Sequence, residues 1–491
     1  MSSPPSETAP PLELRFEAGT IRLEATGDGH EAVRGDDALR ELGLEVDPRS
    51  KTFRLEGHVY APLLARLAES GRSVRDHVLS LEQDPLEGGS STYELRSYQR
   101  SGLDAWLETD RWAGVDIDTG VGRSAESSAV PPTAPAGVLE LPTGSGKTVV
   151  AIEAIERLDV PTLVVVPTID LLEQWVEELE TEFGVSVGRF GGGEQRLEPL
   201  TVSTYDSAYL KADAVGDRFG FVVFDEVHHL GGEGYRQIAR LLPAPARLGL
   251  TATFERPDEA HEVIEALVGP VVYRLSPDDL AGDHLAPYDV KRLEVALTPT
   301  EHEAYERAQG TFTDYLARSN IRMQSGSDYQ ELVKRSGTDP AAREALLARQ
   351  RAREIMLGAD QKLETLADVL ERHRGERTII FTAYNELAYE VGERFLLPVL
   401  THQTGTAERR TVLQRFRDGE YSRIVTSNVL DEGVDVPDAS VAVILSGSGS
   451  EREFTQRLGR ILRPKDDGGR AILYEVVAAE TSEESIADRR R

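Results

Sequence analysis

A glycine-rich segment, residues 141–148, joins a short apolar run to an amphipathic stretch and ends in Gly-Lys-Thr. Glycines let backbone N–H groups close around phosphate oxygens, and the start of the following helix favours negative charge. Lys147 would reach the β- and γ-phosphates of ATP, and Thr148 would be a ligand of Mg²⁺. Leu141 replaces the usual first glycine, so this is a variant phosphate loop. A simple Gly/Ser turn between strand and helix is the alternative, and Gly-Lys-Thr in this context favours the phosphate loop. The predicted nucleotide-binding residues of this loop are Pro142, Thr143, Gly144, Ser145, Gly146, Lys147 and Thr148.

Two acidic residues, Asp225 and Glu226, directly follow the apolar run 221–224. Carboxylates at the carboxyl end of a parallel strand face the crevice in which nucleotides bind. Asp225 would hold Mg²⁺ through water, and Glu226 would orient and deprotonate the attacking water. Solvated acids are the alternative in so acidic a chain, but the upstream phosphate loop favours a catalytic pair. His228 and His229 lack a third metal ligand in the sequence, so we expect His228 to have a coupling or packing role.

Two arginines lie three positions apart in the segment 456–463. At that spacing Arg460 and Arg463 share one face of a helix. Planar guanidinium groups suit the charge that spreads over a transferring phosphoryl group. A solvated basic helix is the alternative. With a phosphate site upstream, we expect Gln456, Arg460 and Arg463 to complete the ATP site from a second lobe, so that hydrolysis depends on lobe closure.

Parallel sheets are the elements expected to hold these groups, because continuous β-branched runs suit strands covered on both faces. One set of strands falls within residues 89–284 and another within residues 285–478. The predicted strands are 138–141, 162–166, 221–224, 378–381, 423–426 and 441–445. The sequence therefore predicts an α/β protein with two parallel-sheet lobes in tandem.

The first 88 residues differ from this pattern and predict a small α+β domain. Apolar residues alternate with polar ones on both sides of Gly19, which is typical of a hairpin, and a second short strand pair is expected around Gly57. Helical stretches are expected near residues 61–68 and 74–81.

Three other segments also interrupt the alternation of strands and helices. Residues 112–137 are rich in Gly, Ser, Thr and Pro and predict a flexible insertion. Residues 298–356 are charged and lack a strand signal, so we expect a helical insertion carried by the second lobe. Residues 479–491 predict a polar, frayed tail.

The composition sets further limits on the class of protein. The 491-residue chain has 85 Asp and Glu against 55 Lys and Arg, a net charge of −30. Such a surface repels DNA at low ionic strength, but at about 1 M salt the Debye length is about 3 Å. We interpret the acid-rich, lysine-poor composition as an adaptation to a salty cytoplasm. The absence of cysteine excludes disulfides, and no signal peptide or apolar span of about twenty residues is present, so a cytoplasmic protein outside the membrane is expected.

The order of these segments resembles a superfamily 2 helicase, and their residues resemble the XPB-type DNA helicases of archaea and bacteria. The resemblance implies two RecA-like lobes, a damage-recognition-like domain at residues 1–88 and a thumb-like insertion. It also implies ATP-dependent 3′→5′ unwinding or translocation in DNA repair or transcription, with ATP and Mg²⁺ as cofactors. Taken with the acidic composition, it predicts a protein of a halophilic archaeon. The matching segments are residues 95–99, 225–228, 250–253, 401–404, 429–437 and 456–463.

The same resemblance assigns roles outside the phosphate site. It implies that Gln99 reads adenine with support from Arg96, and that Asp435 contacts the ribose while Gly433 allows close approach. Thr251 and Thr253 would couple hydrolysis to motion. Small hydroxyl and amide groups suit phosphate contacts along a DNA strand. The implied DNA contacts are Thr168, Gln174, Ser203, Thr204, Thr382, Gln403, Thr404 and Thr426, with Trp175 and Tyr205 beside them.

Two features of XPB-type proteins are less clear in this sequence: the strand-wedge element is altered, and the charges of the helical insertion do not by themselves indicate DNA binding. XPB-type proteins carry an Arg-Glu-Asp element that acts as a strand wedge, and the similar place here has Pro257 between Arg256 and Asp258. The helical insertion would grip DNA, although a solvated helical face explains its charges equally well. The basic candidates there are Arg318, Arg322, Lys334, Arg335 and Arg343.

Two other functions compete with a helicase. The chain could be an ATP-gated DNA scaffold that recruits a nuclease, or the motor subunit of a restriction system. Nuclease-like Asp-x-Lys triplets occur at residues 289–291 and 360–362, but neither has a convincing partner acid upstream. We therefore expect a monomer that acts on single-stranded, forked or duplex DNA, with any nuclease acting in trans.

Overall fold

The computed structural model divides the chain into two compact units, Met1–Ser276 and Pro277–Arg491. The residues that the structure describes are 12–26, 28–72, 74–81, 85–111, 133–142, 144–252, 254, 260–276, 288–319, 321–323, 326–427, 439–446 and 471–484.

The first unit begins with a five-stranded sheet in the order β3-β4-β2-β1-β5. Its strands β1 and β2 form the predicted hairpin around Gly19, whose φ of 77° suits glycine. One face is covered by a helix with a continuous apolar stripe. The strands are Leu12–Glu17 (β1), Thr20–Glu24 (β2), Glu45–Asp47 (β3), Thr52–Glu56 (β4) and Val74–His77 (β5), and the helices are Asp28–Arg34 (α1), Asp37–Glu41 (α2) and Tyr60–Glu69 (α3).

Two details of the predicted N-terminal domain are wrong. No strand follows Gly57, because a 3₁₀ turn, Gly57–Val59, leads directly into α3, and β4 pairs instead with the preceding β3. The stretch expected to be helical near residues 74–81 begins with strand β5, which pairs in parallel with β1. Val74 is fully buried there, so burial at the sheet edge outweighs a weak local preference for helix.

The N-terminal sheet packs closely on the rest of the first unit. A Cβ added to Gly57 would lie 2.5 Å from the carbonyl oxygen of Leu241, so only glycine allows this approach. The Ser80 N–H donates a 2.8 Å hydrogen bond to the carbonyl oxygen of Asp217. Backbone contacts therefore join the two sheets of this unit.

The second sheet of this unit, with its helices, is called lobe 1. It has eight strands in the order β13-β6-β12-β11-β7-β10-β8-β9, parallel except for the β8–β9 pair. Buried side chains form a core on each face, as the continuous apolar runs predict. The strands are Ala136–Glu140 (β6), Thr162–Val166 (β7), Gly188–Gly191 (β8), Glu194–Arg196 (β9), Leu200–Thr204 (β10), Phe221–Asp225 (β11), Ala246–Thr251 (β12) and Val271–Arg274 (β13).

Helices separate most strands of lobe 1, but β8, β9 and β10 follow one another without an intervening helix. Strand β6 begins at Ala136, so the last two residues of the predicted flexible insertion belong to the sheet, and residues 112–132 lie outside the described residues. The helices are Ser97–Leu107 (α4), Lys147–Leu158 (α5), Ile169–Phe183 (α6), Tyr205–Val215 (α7), Arg236–Leu241 (α8) and His261–Leu267 (α9), with 3₁₀ turns at Gly216–Arg218 and Val227–Gly231.

The six-stranded parallel sheet of the second unit, with its helices, is called lobe 2. Its strand order is β14-β19-β18-β15-β17-β16. The strands are Tyr288–Val295 (β14), Thr378–Thr382 (β15), Val399–Leu400 (β16), Arg423–Ser427 (β17), Val441–Ile444 (β18) and Ala471–Ala478 (β19). The helices are Pro299–Ser319 (α10), Gly326–Ser336 (α11), Pro340–Leu357 (α12), Asp360–Arg372 (α13), Asn385–Phe395 (α14) and Thr406–Arg417 (α15). Helices α10 to α12 occupy the segment predicted as a helical insertion.

The predicted frayed tail is wrong for residues 479–484. Glu483 is 2% exposed and lies 2.7 Å from the ammonium group of Lys362, which is itself 1% exposed. Lys362 also donates a 2.9 Å hydrogen bond to the carbonyl oxygen of Leu445. A buried ammonium group needs a charged or strongly polar partner, so these residues complete the core of lobe 2 rather than extending into solvent.

Candidate functional site

The phosphate loop of lobe 1 lies between β6 and α5. Gly144 and Gly146 have φ values of 80° and 79°, the left-handed conformation that favours glycine. Lys147 is the first residue of α5, and its ammonium group donates a 3.2 Å hydrogen bond to the carbonyl oxygen of Leu141. A left-handed turn directly before a helix N-terminus is the geometry that phosphate binding requires.

Helix α4 supports this loop through two side chains. The amide nitrogen of Gln99 donates to the carbonyl oxygens of Ser145 at 2.8 Å and Gly146 at 3.3 Å, while its oxygen accepts from the N–H of Arg96 at 2.9 Å. The Tyr98 hydroxyl also donates to the Ser145 carbonyl oxygen at 2.8 Å. In this conformation the Gln99 amide braces the loop, so adenine recognition by Gln99 and Arg96 stays a prediction. Sequence reasoning missed Tyr98, because its role depends on a contact 47 residues away.

The acidic pair lies at the carboxyl end of β11. Asp225 and Glu226 are 7% and 8% exposed. Burial, and then the neighbouring charge of Glu226, raise the pKa of Asp225 to about 6, while a hydrogen bond from Trp175 and the charge of Lys147 act in the opposite direction. The parallel sheet therefore gathers the phosphate-loop lysine and both predicted catalytic acids at one crevice.

Two aromatic residues hold Asp225, and both correct the sequence interpretation. Trp175 and Tyr205, expected beside the DNA strand, are each only 1% exposed. The indole N–H of Trp175 donates a 2.9 Å hydrogen bond to Asp225 Oδ2, and the Tyr205 hydroxyl donates a 3.0 Å hydrogen bond to the main-chain oxygen of Asp225. Their large apolar rings are buried in the core, so only their polar ends face the site.

Glu226, the second acid, lies close to the buried side chain of His228. Glu226 has a φ of 49°, and its Oε2 lies 3.5 Å from Nδ1 of His228. The same nitrogen lies 3.2 Å from the Thr251 hydroxyl at the end of β12. The arrangement fits the expected coupling or packing role of His228. Within the described parts of the chain, no group of three or more His, Asp or Glu side chains could hold a metal ion.

The eight predicted DNA contacts fall into two groups. Gln403 is exposed, and Thr168, Gln174 and Thr404 are partly exposed. Ser203, Thr204, Thr382 and Thr426 are at most 6% exposed. The Ser203 hydroxyl donates to the carbonyl oxygen of Phe190, and that of Thr382 donates to those of Tyr384 and Thr426. These four residues lie within or at the ends of strands, so burial argues against side-chain contact with DNA in this conformation.

Some of the predicted basic contacts in the helical insertion have intramolecular partners. Arg335 lies 2.7 Å from Glu331, and the Arg343 guanidinium donates to the carbonyl oxygen of Ser336. The Arg349 guanidinium lies 4.8 Å from the ring centroid of Tyr329, a cation–π contact that the sequence did not reveal.

Several predicted site residues lie outside the described residues. They include the lobe-2 residues predicted to complete the ATP site and the altered wedge element. These positions are Thr143, Thr253, Arg256, Pro257, Asp258, Gly433, Asp435, Gln456, Arg460 and Arg463.

The two Asp-x-Lys triplets have structural surroundings that explain their lysines. Lys362 forms the buried ion pair with Glu483, and the Lys291 ammonium lies 5.7 Å from the ring centroid of Tyr474. Nuclease chemistry needs a lysine that reaches substrate, and the Lys362 ammonium is enclosed in the core of lobe 2. This packing supports the expectation that residues 360–362 are not a nuclease site.

Three family models match segments of the chain. The res subunit of type III restriction enzymes matches residues 92–256, and the helicase conserved C-terminal domain matches residues 361–465. The damage recognition domain of the Xeroderma pigmentosum group B helicase matches residues 14–78. Within the described residues, no helix is long and apolar enough to cross a membrane.

Curated relatives are similar over most of the chain. The chain is 40% identical over 449 residues to the DNA 3'-5' translocase XPB2 of Sulfurisphaera tokodaii. The match covers 91% of this chain and 96% of that protein. It is 30% identical to the DNA 3'-5' helicase XPB of Mycobacterium tuberculosis, over 84% of this chain and 65% of that protein. A Rad25 relative in Halobacterium salinarum is 31% identical over 96% of this chain and 68% of that protein.

A solved structure resembles the fold. The structure of S. cerevisiae Dbp5 bound to RNA and ADP BeF3 matches with a TM-score of 0.52 and 15% sequence identity, over 81% of this chain and 88% of that chain. At this identity the likeness concerns the fold alone. Together with the two helicase family models, it confirms the predicted pair of RecA-like parallel-sheet lobes.

Proposed function

The chain belongs to the XPB family of DNA helicases, and on that premise we propose that it is an ATP-driven 3′→5′ DNA translocase that opens DNA in repair or transcription. The predicted family and the predicted class of enzyme, an ATP-dependent DNA helicase, are confirmed. The observation that carries the proposal is the lobe-1 crevice, where Asp225 and Glu226 lie buried beside the phosphate loop.

The residues present fit ATP with Mg²⁺. Thr148 would supply a hydroxyl oxygen to Mg²⁺, and the Asp225 carboxylate would hold the ion through water; so few protein oxygens suffice because this ion keeps several waters. Mg²⁺, when bound, would neutralise charge on the β- and γ-phosphates. Glu226 Oε2 is buried and has no hydrogen-bond partner among the described residues, so it is available to accept a proton from the attacking water. Lys147 would steady the phosphates, and Arg460 and Arg463 are the residues that the sequence predicts would stabilise the transferring phosphoryl group.

The proposed domain assignment follows the sequence. Residues 1–88 form a damage-recognition-like domain, residues 89–284 form lobe 1, and residues 285–478 form lobe 2 with its insertion at 298–356. The insertion is a proposed DNA grip through its later part: residues 318–353 contain eight Lys and Arg against four Asp and Glu, although residues 298–356 as a whole have nine of each. Such local positive charge suits phosphate contacts. Exposed Gln403 and partly exposed Thr168, Gln174 and Thr404 would contact the strand.

The proposed setting is a halophilic, salt-rich cytoplasm. The excess of acids over bases supports it. At about 1 M salt the Debye length is about 3 Å, so the repulsion between the acidic surface and DNA is screened while close contacts to DNA persist. The protein would act as a monomer, and a nuclease would act in trans. A cytoplasmic localisation stays a prediction.

A strand-displacement assay on forked DNA in about 1 M KCl tests this function. We expect ATP-dependent displacement from a 3′ tail by the native chain. The Glu226→Gln variant is the matched control: it keeps the size of the side chain and nucleotide binding, but loses the base and therefore turnover.

The alternative outcomes identify other functions. ATP hydrolysis and ATP-dependent DNA binding without displacement or translocation would support a scaffold that recruits a nuclease, an alternative that the Pro257 substitution in the wedge element favours. Translocation along duplex DNA without displacement, together with cleavage only when a nuclease is added, would support a restriction motor.

A further inference from the structure

Asp225 is the lobe-1 carboxylate predicted to hold Mg²⁺ through water, and each of its oxygens has a protein donor. The indole N–H of Trp175 donates to Oδ2 at 2.9 Å, the N–H of Glu226 donates to Oδ1 at 3.0 Å, and the Tyr205 hydroxyl donates to the main-chain oxygen at 3.0 Å. The Glu226 contact is between neighbours in sequence. The contacts from Trp175 and Tyr205 cross 50 and 20 residues, so the tertiary fold alone creates them.

The two aromatic donors have little freedom to move. Trp175 is packed into the core between the sheet and α6 at 1% exposure. The Tyr205 ring lies with its centroid 5.5 Å from that of His229 and 5.4 Å from that of Tyr235. Because packing fixes both rings, their donors fix the position of the Asp225 carboxylate and of the main chain that carries it.

The Asp225 carboxylate needs hydrogen-bond donors that fix its position. Glu226 places a second acidic side chain beside it in a buried crevice, and two acids close together repel when both are ionised. A carboxylate that holds a metal ion through water must also present its free lone pairs in one direction, and the groups that donate hydrogen bonds to it set that direction.

We propose that Trp175 and Tyr205 are positioning residues that hold Asp225 in the geometry in which it binds the divalent cation of the nucleotide. Neither residue touches the nucleotide or the attacking water in this role. The inference rests on the proposed function, because it concerns the metal used in ATP hydrolysis.

The test compares Trp175→Phe and Tyr205→Phe with the native full-length chain. Tyr205→Phe removes one donor and keeps the ring, whereas Trp175→Phe removes one donor and replaces the indole with a smaller aromatic ring. Steady-state ATP hydrolysis is measured against Mg²⁺ concentration at saturating ATP, and again with Mn²⁺. We expect the Mg²⁺ concentration for half-maximal activity to rise about tenfold in each variant, the lower end of the range for groups that orient metal ligands. We expect Mn²⁺ to restore part of the loss.

Trp106→Phe is the matched control. Trp106 is as buried as Trp175, and its indole N–H also donates a 2.9 Å hydrogen bond, but to the carbonyl oxygen of Arg247. A purely structural role would lower the melting temperature of Trp175→Phe and Trp106→Phe alike and leave Mg²⁺ dependence unchanged in both. That result would overturn the inference.

Tyr205→Phe keeps the inference testable if the tryptophan variant does not fold, because it removes only one oxygen atom. An unchanged Mg²⁺ dependence in folded Tyr205→Phe would remove Tyr205 from the assignment. Failure of the native chain to hydrolyse ATP at any Mg²⁺ concentration would overturn the proposed function itself, whereas native hydrolysis with unchanged variants would overturn only this inference.

Discussion

Lobe 1 and lobe 2 have the same architecture, a parallel sheet covered by helices, but they present different chemistry at the carboxyl ends of their strands. In lobe 1 that edge carries Asp225 and Glu226 beside Lys147. In the described part of lobe 2, Thr382 and Ser427 end their strands with hydroxyl groups. The parallel sheet places the carboxyl ends of its strands together in both lobes. The residues at those ends decide whether catalysis can occur there.

The lobes also bury a cation in different ways. Arg247 of lobe 1 is fully buried, and its guanidinium donates to the carbonyl oxygens of Ala239, Leu242, Ala244 and Leu267. Lys362 of lobe 2 pairs instead with a carboxylate, Glu483. A guanidinium group has five donors in a fixed fork, enough to be satisfied by carbonyls, whereas an ammonium group is a compact charge that needs an anion.

The largest expected effect is the loss of ATP hydrolysis when Lys147 of the phosphate loop in lobe 1 is replaced. Lys147→Ala should remove ATP hydrolysis, because it takes away the cation predicted to contact the transferred phosphoryl group. Hydrolysis by purified protein is the measurement, with circular dichroism as the check on folding. A well-folded variant that still hydrolyses ATP would remove the phosphate-loop assignment.

The next effect tests whether lobe 2 supplies charge to catalysis. Arg463→Ala should leave ATP binding near normal and lower kcat by about 10³-fold, the scale of arginine fingers in related NTPases. Nucleotide binding and single-turnover hydrolysis are measured separately. A normal kcat would mean that the finger is another residue.

A third prediction concerns the buried pair of lobe 2. Lys362→Met alone should lower the free energy of unfolding by about 3–5 kcal/mol, because it leaves Glu483 buried without its partner. Lys362→Met combined with Glu483→Leu should recover most of that loss. Urea unfolding of the full chain measures both. Equal losses in the single and double variants would show that the charge pairing is not the source of the effect.

The smallest expected effect concerns His58, where the N-terminal sheet meets lobe 1. Burial, together with the charges of Arg247, Arg240 and Arg111, lowers the pKa of His58 to about 4 from an ordinary value of 6.5. As the pH falls, the unfolded chain takes up this proton first. Stability is therefore full above about pH 6.5 and is lost toward pH 4.

The native chain should lose about 2 kcal/mol more stability than His58→Gln between pH 7 and pH 5, as given by proton linkage for this shift. Urea unfolding at both pH values measures the difference. Acidic residues destabilise both proteins alike as they protonate, so only the difference between them reports on His58. No difference would mean that the pKa of His58 is the same in the folded and the unfolded chain.

The sequence alone determined the fold class and the place of the phosphate loop. Glycine before Lys147 and a continuous apolar run before Asp225 are local signals, and parallel strands bring such segments to one edge. Local signals failed at residues 74–81, where pairing with β1 outweighs weak helix preference, and at residues 479–484, where the buried Lys362 requires Glu483.

Only the tertiary structure decided which side chains support the site. The sequence suggested a role at the DNA strand for Trp175 and Tyr205, yet both are buried and donate to Asp225. It also did not reveal that Tyr98 braces the phosphate loop. Residue type and spacing indicate which groups can bind phosphate or a metal. The groups that orient them come from distant parts of the chain, because a buried polar group must find its partner wherever the fold places one.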